Sequence, residues 1–273
     1  TPESTGMKGD HFVGDYYVQC ENRIKEEAAT IMQLLSQNDY SAFPTSVQQK
    51  VKVLQEQLDA ITSDKDVEKR KKLQDDLKEI VRAHTPIMKQ TQQMLVDWEA
   101  GKPEVMDLWK KMNSWVYKGF AQTYQRIGSD FDKTYYESET YLLGKQFVEE
   151  GLEKGVLYKK EDGSVWIDLT DEGLDEKLVL RKDGTSVYIT QDIGLAQQKY
   201  DIFPYDQSLY VIADEQNYHM QVLKAILRKL EKPYADGIFH LSYGMVELPT
   251  GRMKSREGTV VDADDIVEEM VTE

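Results

Sequence analysis

Leu209-Tyr210-Val211-Ile212-Ala213-Asp214-Glu215-Gln216-Asn217-Tyr218-His219 is the segment on which the fold turns. Its first five residues form a short apolar run suited to a buried strand, and its polar remainder leads into a helical pattern from about Gln216 to Leu230. Phe239 to Tyr243 supplies the next strand, so strand, helix and strand recur. Two strands joined by a helix of that length favour a parallel α/β sheet, and ligands of such sheets gather at the carboxyl ends of the strands. The polar side chains massed after Ala213 lie at such an end.

Upstream, turn residues alternate with strand-like runs. Tyr158 to Asp168 reads as a hairpin around Glu161-Asp162-Gly163-Ser164, and Leu178 to Ile189 as a second around Lys182-Asp183-Gly184. Asp192 to Tyr200 reads as helix. This texture begins after Gly128, which separates an expected α/β portion, 128–273, from a mainly helical portion, 1–127. The helical portion is legible from apolar spacing. Ile24, Ala28, Ile31, Leu34 and Leu35 mark one stripe. Val51, Leu54, Leu58 and Ile61, then Leu73, Leu77, Ile80 and Val81, mark two amphipathic helices. With Thr62-Ser63-Asp64 as turn and N-cap, these two form an expected helical hairpin near 46–83. Thr85-Pro86 and Pro103 open two further helices. The second carries Leu108, Trp109, Met112, Trp115 and Val116 on a face expected to be buried, with Trp98, Trp109 and Trp115 as core. Thr1 to Val18, with Gly6, Gly9 and Gly14, reads as irregular chain.

Of the 273 residues, 40% are hydrophobic and 30% charged, which suits a globular core. The formal net charge of −15 disfavours unaided binding to a phosphate backbone. The basic run Lys69 to Lys72 is interrupted by Asp75, Asp76 and Glu79 and reads as a solvated helix face. Cys20 is the single cysteine, so neither an internal disulfide nor a multi-cysteine zinc site can form. No spacing of His11, His84 or His240 suggests a metal, and none is assigned. Without an apolar run long enough to span a bilayer or a signal core, a cytoplasmic, monomeric protein away from membranes is expected.

Three segments can carry chemistry. Gly251-Arg252-Met253-Lys254-Ser255-Arg256-Glu257-Gly258-Thr259 is a Gly-flanked loop of cations and hydroxyls, able to grip phosphate or to be merely an exposed basic loop. Val187-Tyr188-Ile189-Thr190-Gln191-Asp192 enters a helix; if its first turn starts near Tyr188, Tyr188 and Asp192 point the same way. A carboxylate beside a phenol suits a guanidinium, although a helix cap beside a packed tyrosine would read alike. His219, in the third segment, can meet a nucleobase or be a satisfied structural histidine.

Together these segments resemble class I aminoacyl-tRNA synthetases of the arginyl type. The resemblance rests on Met112-Asn113-Ser114-Trp115-Val116, on Gly184-Thr185-Ser186-Val187-Tyr188-Ile189-Thr190-Gln191-Asp192-Ile193-Gly194, on Glu215-Gln216-Asn217-Tyr218-His219, and on Ser242 to Leu248 running into Met253 to Thr259. It implies the second half of a Rossmann-like nucleotide-binding domain with a mainly helical connective insertion. It also implies activation of L-arginine by ATP, with Mg2+ accompanying the nucleotide and no tightly bound metal, then transfer to tRNA(Arg). By the resemblance, Tyr188, Asp192 and Gln216 bind arginine, His219, Met253, Lys254 and Ser255 bind ATP, and Lys254 and Arg256 are catalytic. Two departures stand out. Ser255 falls where the family's Lys-Met-Ser-Lys-Ser signature has its second lysine, and the His-x-Gly-His signature occurs nowhere in the sequence. A central piece of a longer enzyme, inactive alone, is therefore expected; the alternative is a non-catalytic interaction module reusing the fold.

Overall fold

The computed structural model describes residues 1–61, 66–140, 143–182, 184–247 and 261–272. The chain divides into two compact units, Thr1–Asp130 with Met253–Glu273, and Phe131–Arg252.

The first unit contains α1 (Pro2–Thr5), α2 (Gly9–Ser36), α3 (Thr45–Asp59), α4 (Val67–Ala83), α5 (Pro86–Glu99) and α6 (Pro103–Arg126). The apolar stripes read from spacing meet in one core, where Ile31 and Leu35 of α2 pack with Val51 of α3 and with Leu77 and Val81 of α4. An Arg82 guanidinium fork donates to both carboxylate oxygens of Glu21, at 2.8 and 2.6 Å, tying α4 to α2. Helix α5 opens as expected: Pro86 sits in its first turn and the Thr85 side chain accepts from the Met88 amide. The expected turn at Thr62-Ser63-Asp64 lies outside the described residues.

Two expectations for this unit need correction. Thr1 to Val18 is not irregular, because α1 and most of the first half of α2 occupy it. Gly9 lies against the Trp115 backbone and Gly119 against Asp10, so that a Cβ at either position would collide. Here glycine permits α2 and α6 to approach closely, rather than bending the chain. The apolar face of α6 is also less covered than expected. Trp109 and Trp115 are half-buried, as is Trp98 of α5, while Leu108, Tyr117, Phe120 and Tyr124 are exposed.

The second unit begins with α7 (Glu137–Thr140) and α8 (Gly144–Glu153), followed by β1 (Leu157–Lys159), β2 (Val165–Ile167) and β3 (Lys177–Leu180). These strands form an antiparallel sheet in the order β1-β2-β3. The first expected hairpin is β1-β2. The second is not a full hairpin: the turn at Gly184 forms, with φ of 79°, but among the described residues a single bridge, Leu180 to Ser186, closes it before α9 (Tyr188–Ile202) begins.

Next come β4 (Ser208–Ala213), a 3-10 turn at Asp214–Gln216, α10 (Asn217–Lys229) and β5 (Ile238–Tyr243). As the alternation of elements implied, β4 and β5 are parallel, with Leu209 opposite Phe239 and Ala213 opposite Tyr243. Helix α10 packs Val222, Leu223, Ile226 and Leu227 into a core shared with Val165, Ile167, Ile193 and Ile238. That core holds α9 and α10 together and brings the starts of both helices to one end of the unit.

The last described helix, α11 (Ala263–Thr272), groups with the helical unit and not with the α/β portion that 128–273 was expected to form. The physical cause is charge. Lys8 donates to Asp264 at 2.5 Å, Thr123 donates to Asp264 at 3.0 Å, and Arg126 donates to Glu268 at 2.5 Å.

Candidate functional site

The start of α9 is built by its neighbours. Arg181 donates to the Ser186 carbonyl at 2.6 Å, and the buried Thr190 hydroxyl donates to the Val179 carbonyl of β3. On the other side, Gly144 of α8 and Gly194 of α9 meet so closely that a Cβ on either would strike the facing backbone. Helix α9 is therefore clamped between β3 and α8, with Tyr188 and Asp192 one turn apart on its outer face.

That face borders a cavity of about 350 Å3 lined by Tyr135, Glu137, Thr140, Tyr188, Asp192 and Leu195, among others. Tyr188 is 77% exposed, so its phenol is open to a ligand and not packed in the core. Two carboxylates, Asp192 and Glu137, reach this cavity, and among the described residues neither forms an ion pair with a lysine or arginine. The buried Tyr135 hydroxyl has no hydrogen-bond partner among the described residues. A cavity bordered by two carboxylates that no lysine or arginine among the described residues pairs, and by phenolic oxygens, has the chemistry of a cation site with several acceptors.

Behind Asp192 stands His219, in the first turn of α10; its Nε2 lies 2.6 Å from Asp192 Oδ2. Lys199, two turns further along α9, places its ammonium 4.4 Å from the centre of the Tyr210 ring. Burial pushes the Lys199 ammonium below the ordinary lysine range, and the Asp192 carboxylate opposes that shift. Burial likewise raises the Tyr210 phenol, whose hydroxyl has no partner among the described residues.

The structure thus brings Tyr188 and Asp192 to one cavity and joins His219 to Asp192. Gln216 lies exposed in the 3-10 turn and does not line that cavity. Met253, Lys254, Ser255 and Arg256 lie outside the described residues, as does the rest of 248–260. Sequence reasoning missed Glu137 and Tyr135. They come from a segment some 50 residues before α9, and the only local signal was the Tyr135-Tyr136-Glu137 cluster of aromatic and acidic side chains.

A second cavity, about 390 Å3, lies in the helical unit between α1, the start of α2 and α6; its charged lining is Glu3, Lys8 and Lys118. Lys8 is already held by Asp10, Asp264 and Thr123, so this cavity presents a largely satisfied surface.

Parallel strands joined by a crossover helix define a Rossmann-like α/β unit, and the polar cavity in it lies beside the start of α9. The sequence profile described as tRNA synthetases class I (R), catalytic domain, matches residues 22–273, and the chain belongs to that family. It is 52% identical over 272 residues to the arginine–tRNA ligase of Bacteroides thetaiotaomicron, covering 100% of this chain and 39% of that protein. The arginine–tRNA ligase of Flavobacterium psychrophilum is 50% identical over 273 residues, with the same shares of the two chains. Among solved structures, Thermus thermophilus arginyl-tRNA synthetase is similar at a TM-score of 0.52 and 19% identity, over 74% of this chain and 37% of that one. That likeness shows the fold alone: an α/β portion of the class I synthetase type together with a mainly helical portion. The chain spans about two fifths of the length of these curated relatives, 39% in each case. Among the described residues, no helix is long and apolar enough to cross a membrane.

Proposed function

We propose that the chain provides the arginine-recognising part of an arginine–tRNA ligase. In that reaction a carboxylate oxygen of L-arginine attacks the α-phosphorus of ATP, the bond to pyrophosphate breaks, and the arginyl group of the adenylate then passes to the 3′ end of tRNA(Arg). ATP enters as its magnesium complex. The observation that carries the reading is the pair of carboxylates, Asp192 and Glu137, at one cavity beside the Tyr188 phenol, unpaired with any lysine or arginine among the described residues. A guanidinium offers five N–H donors in a planar fork and stays charged at all working pH values, so it can satisfy two carboxylates and a phenol at once. A neutral urea of the same shape, as in citrulline, would leave negative charge uncompensated.

Relatives named arginine–tRNA ligase, about 50% identical along the whole chain, support this reading over a non-catalytic module. For the nucleotide, Lys254 and Arg256 would meet charge developing on the α-phosphate, with Met253 and Ser255 near the adenosine, on the sequence motif alone; His219, expected at the nucleotide from the resemblance, is instead assigned to Asp192, to which it is joined. Gln216 would bind the amino-acid end of arginine. The formal net charge of −15 supports the view that most tRNA affinity arises outside these residues. The 273 residues contain no His-x-Gly-His, and we propose that they do not exchange pyrophosphate into ATP on their own.

The test is arginine-dependent pyrophosphate exchange by the full-length enzyme carrying Asp192→Asn. The amide keeps shape and removes charge, and kcat/KM for arginine should fall by about 100-fold, as expected when one partner of a charged pair is neutralised. Unchanged arginine kinetics would remove Asp192 from the site and the reading with it.

A further inference from the structure

We infer that His219 is a positioning residue for arginine recognition, holding the Asp192 carboxylate in the orientation that meets the guanidinium. The inference rests on the arginine site proposed above and adds to it a residue that does not line the cavity.

An ionised carboxylate can only accept, so with Asp192 as carboxylate the hydrogen of the 2.6 Å contact stands on His219 Nε2 and is donated to Asp192 Oδ2. The other oxygen, Oδ1, has no hydrogen-bond partner among the described residues. The carboxylate is thus held by one oxygen and offered by the other. Without that bond its terminal torsion is broad and roughly two-fold, and at 39% exposure packing does little to restrict it. A fixed acceptor avoids the entropy that ordering the side chain on binding would cost, which is how preorganisation raises affinity.

The imidazole is itself well placed for this work. It stands in the first turn of α10, whose Met220, Leu223 and Leu227 are buried in the core that also takes Ile189, Ile193 and Ala196 of α9. The two backbones are therefore fixed relative to each other, and the His219–Asp192 bond spans a rigid gap. With His219 on Oδ2, Oδ1 of Asp192 is the oxygen offered whole to the ligand, and the other acceptors of the cavity are available to the rest of the guanidinium. Lys199 cannot take over the role of His219, because its ammonium is directed to the Tyr210 ring.

The experiment compares His219→Ala, His219→Gln and Asp192→Asn in the full-length enzyme, measuring KM and kcat for arginine and KM for ATP by pyrophosphate exchange. His219→Ala should raise KM for arginine about tenfold, with kcat at saturating arginine and KM for ATP within about twofold, the loss expected for one hydrogen bond to a charged group. His219→Gln retains an N–H donor at similar reach and should recover most of the loss, which also guards against a folding defect in the alanine variant. A rise in KM for ATP with arginine unaffected would overturn the inference and make His219 a nucleotide contact. Unchanged kinetics in His219→Ala, with Asp192→Asn impaired, would overturn the positioning role and leave the arginine site standing. Normal arginine kinetics in Asp192→Asn would overturn the site itself.

Discussion

Two clusters in this chain join a histidine to aspartate, and they are built to opposite ends. In the helical unit, His11 Nε2 lies 3.0 Å from Asp262 and 3.3 Å from Asp264, while Lys8 bridges Asp264 and Asp10 at 2.5 and 3.0 Å. Lys8 there ties Asp10 of α2 to Asp264 of α11, and the result is the docking of α11, while the buried Asp10 Oδ1 and His11 Nε2 have no hydrogen-bond partner among the described residues. In the α/β unit, Asp192 has His219 on one oxygen and borders a cavity that a second carboxylate, Glu137, also lines. Negative charge there is left over. A cluster whose lysine spans two helices serves the fold, whereas one that borders a cavity with no lysine or arginine of its own points to what it binds.

After Asp192→Asn, the largest expected effect sharpens that contrast from the open side. Glu137→Gln should cost roughly 2 kcal/mol in arginine kcat/KM, about 30-fold, read by pyrophosphate exchange in the full-length enzyme. Melting temperature should hardly move, since the exposed Glu137 side chain supports no ion pair among the described residues. A stability loss without a kinetic one would break the comparison.

From the lysine-bridged side, Lys8→Met should destabilise the helical unit by about 1–2 kcal/mol and leave KM for arginine unchanged, because Asp10 and Asp264 lose their shared cation. Acid should reveal the same network. The hydrogen bond from Lys8 is the main reason the Asp264 carboxyl lies below its ordinary range, with burial opposing it and Thr123 assisting. A lowered carboxylate pKa stabilises the fold above the unfolded value, about 3.9, and that contribution is lost as pH falls through the lower folded value. In Lys8→Met the hold on α11 should therefore fail at higher pH than in the parent, which hydrogen exchange on α11 between pH 5 and 3 would report.

Gly144→Ala tests the frame under the open cluster. The added methyl meets the Thr190 carbonyl and should cost about 1–3 kcal/mol, with α9 displaced and arginine KM raised in step. The smallest effect belongs to the exposed pair Lys78–Asp75, 3.9 Å apart on α4: Lys78→Ala should change stability by less than about 0.5 kcal/mol.

The comparison also explains what the sequence could tell. Helices α3 and α4 were legible because Val51, Leu54, Leu77 and Val81 repeat at helical spacing and are buried for that reason. The β4-α10-β5 unit was legible from its apolar runs. Gly9 misled, since its neighbour across the unit, and not a turn, explains it. The turn at Gly184 was written locally, but the strand after it was cut short because Tyr188 already belongs to α9. Within the site, Tyr188 and Asp192 could be paired by helical spacing alone. Glu137 and Tyr135 could not, because only the packing of the α/β unit brings them beside α9. The His219–Asp192 bond was hidden for the same reason: each residue had a separate local reading, and only the packing of α9 on α10 brings them together.

The most direct measurement is a crystal structure of the full-length enzyme with L-arginine. The account predicts guanidinium nitrogens about 2.8 Å from Asp192 Oδ1 and from Glu137, with His219 still on Oδ2. An arginine side chain bound elsewhere, with Asp192 and Glu137 facing only solvent, would contradict it.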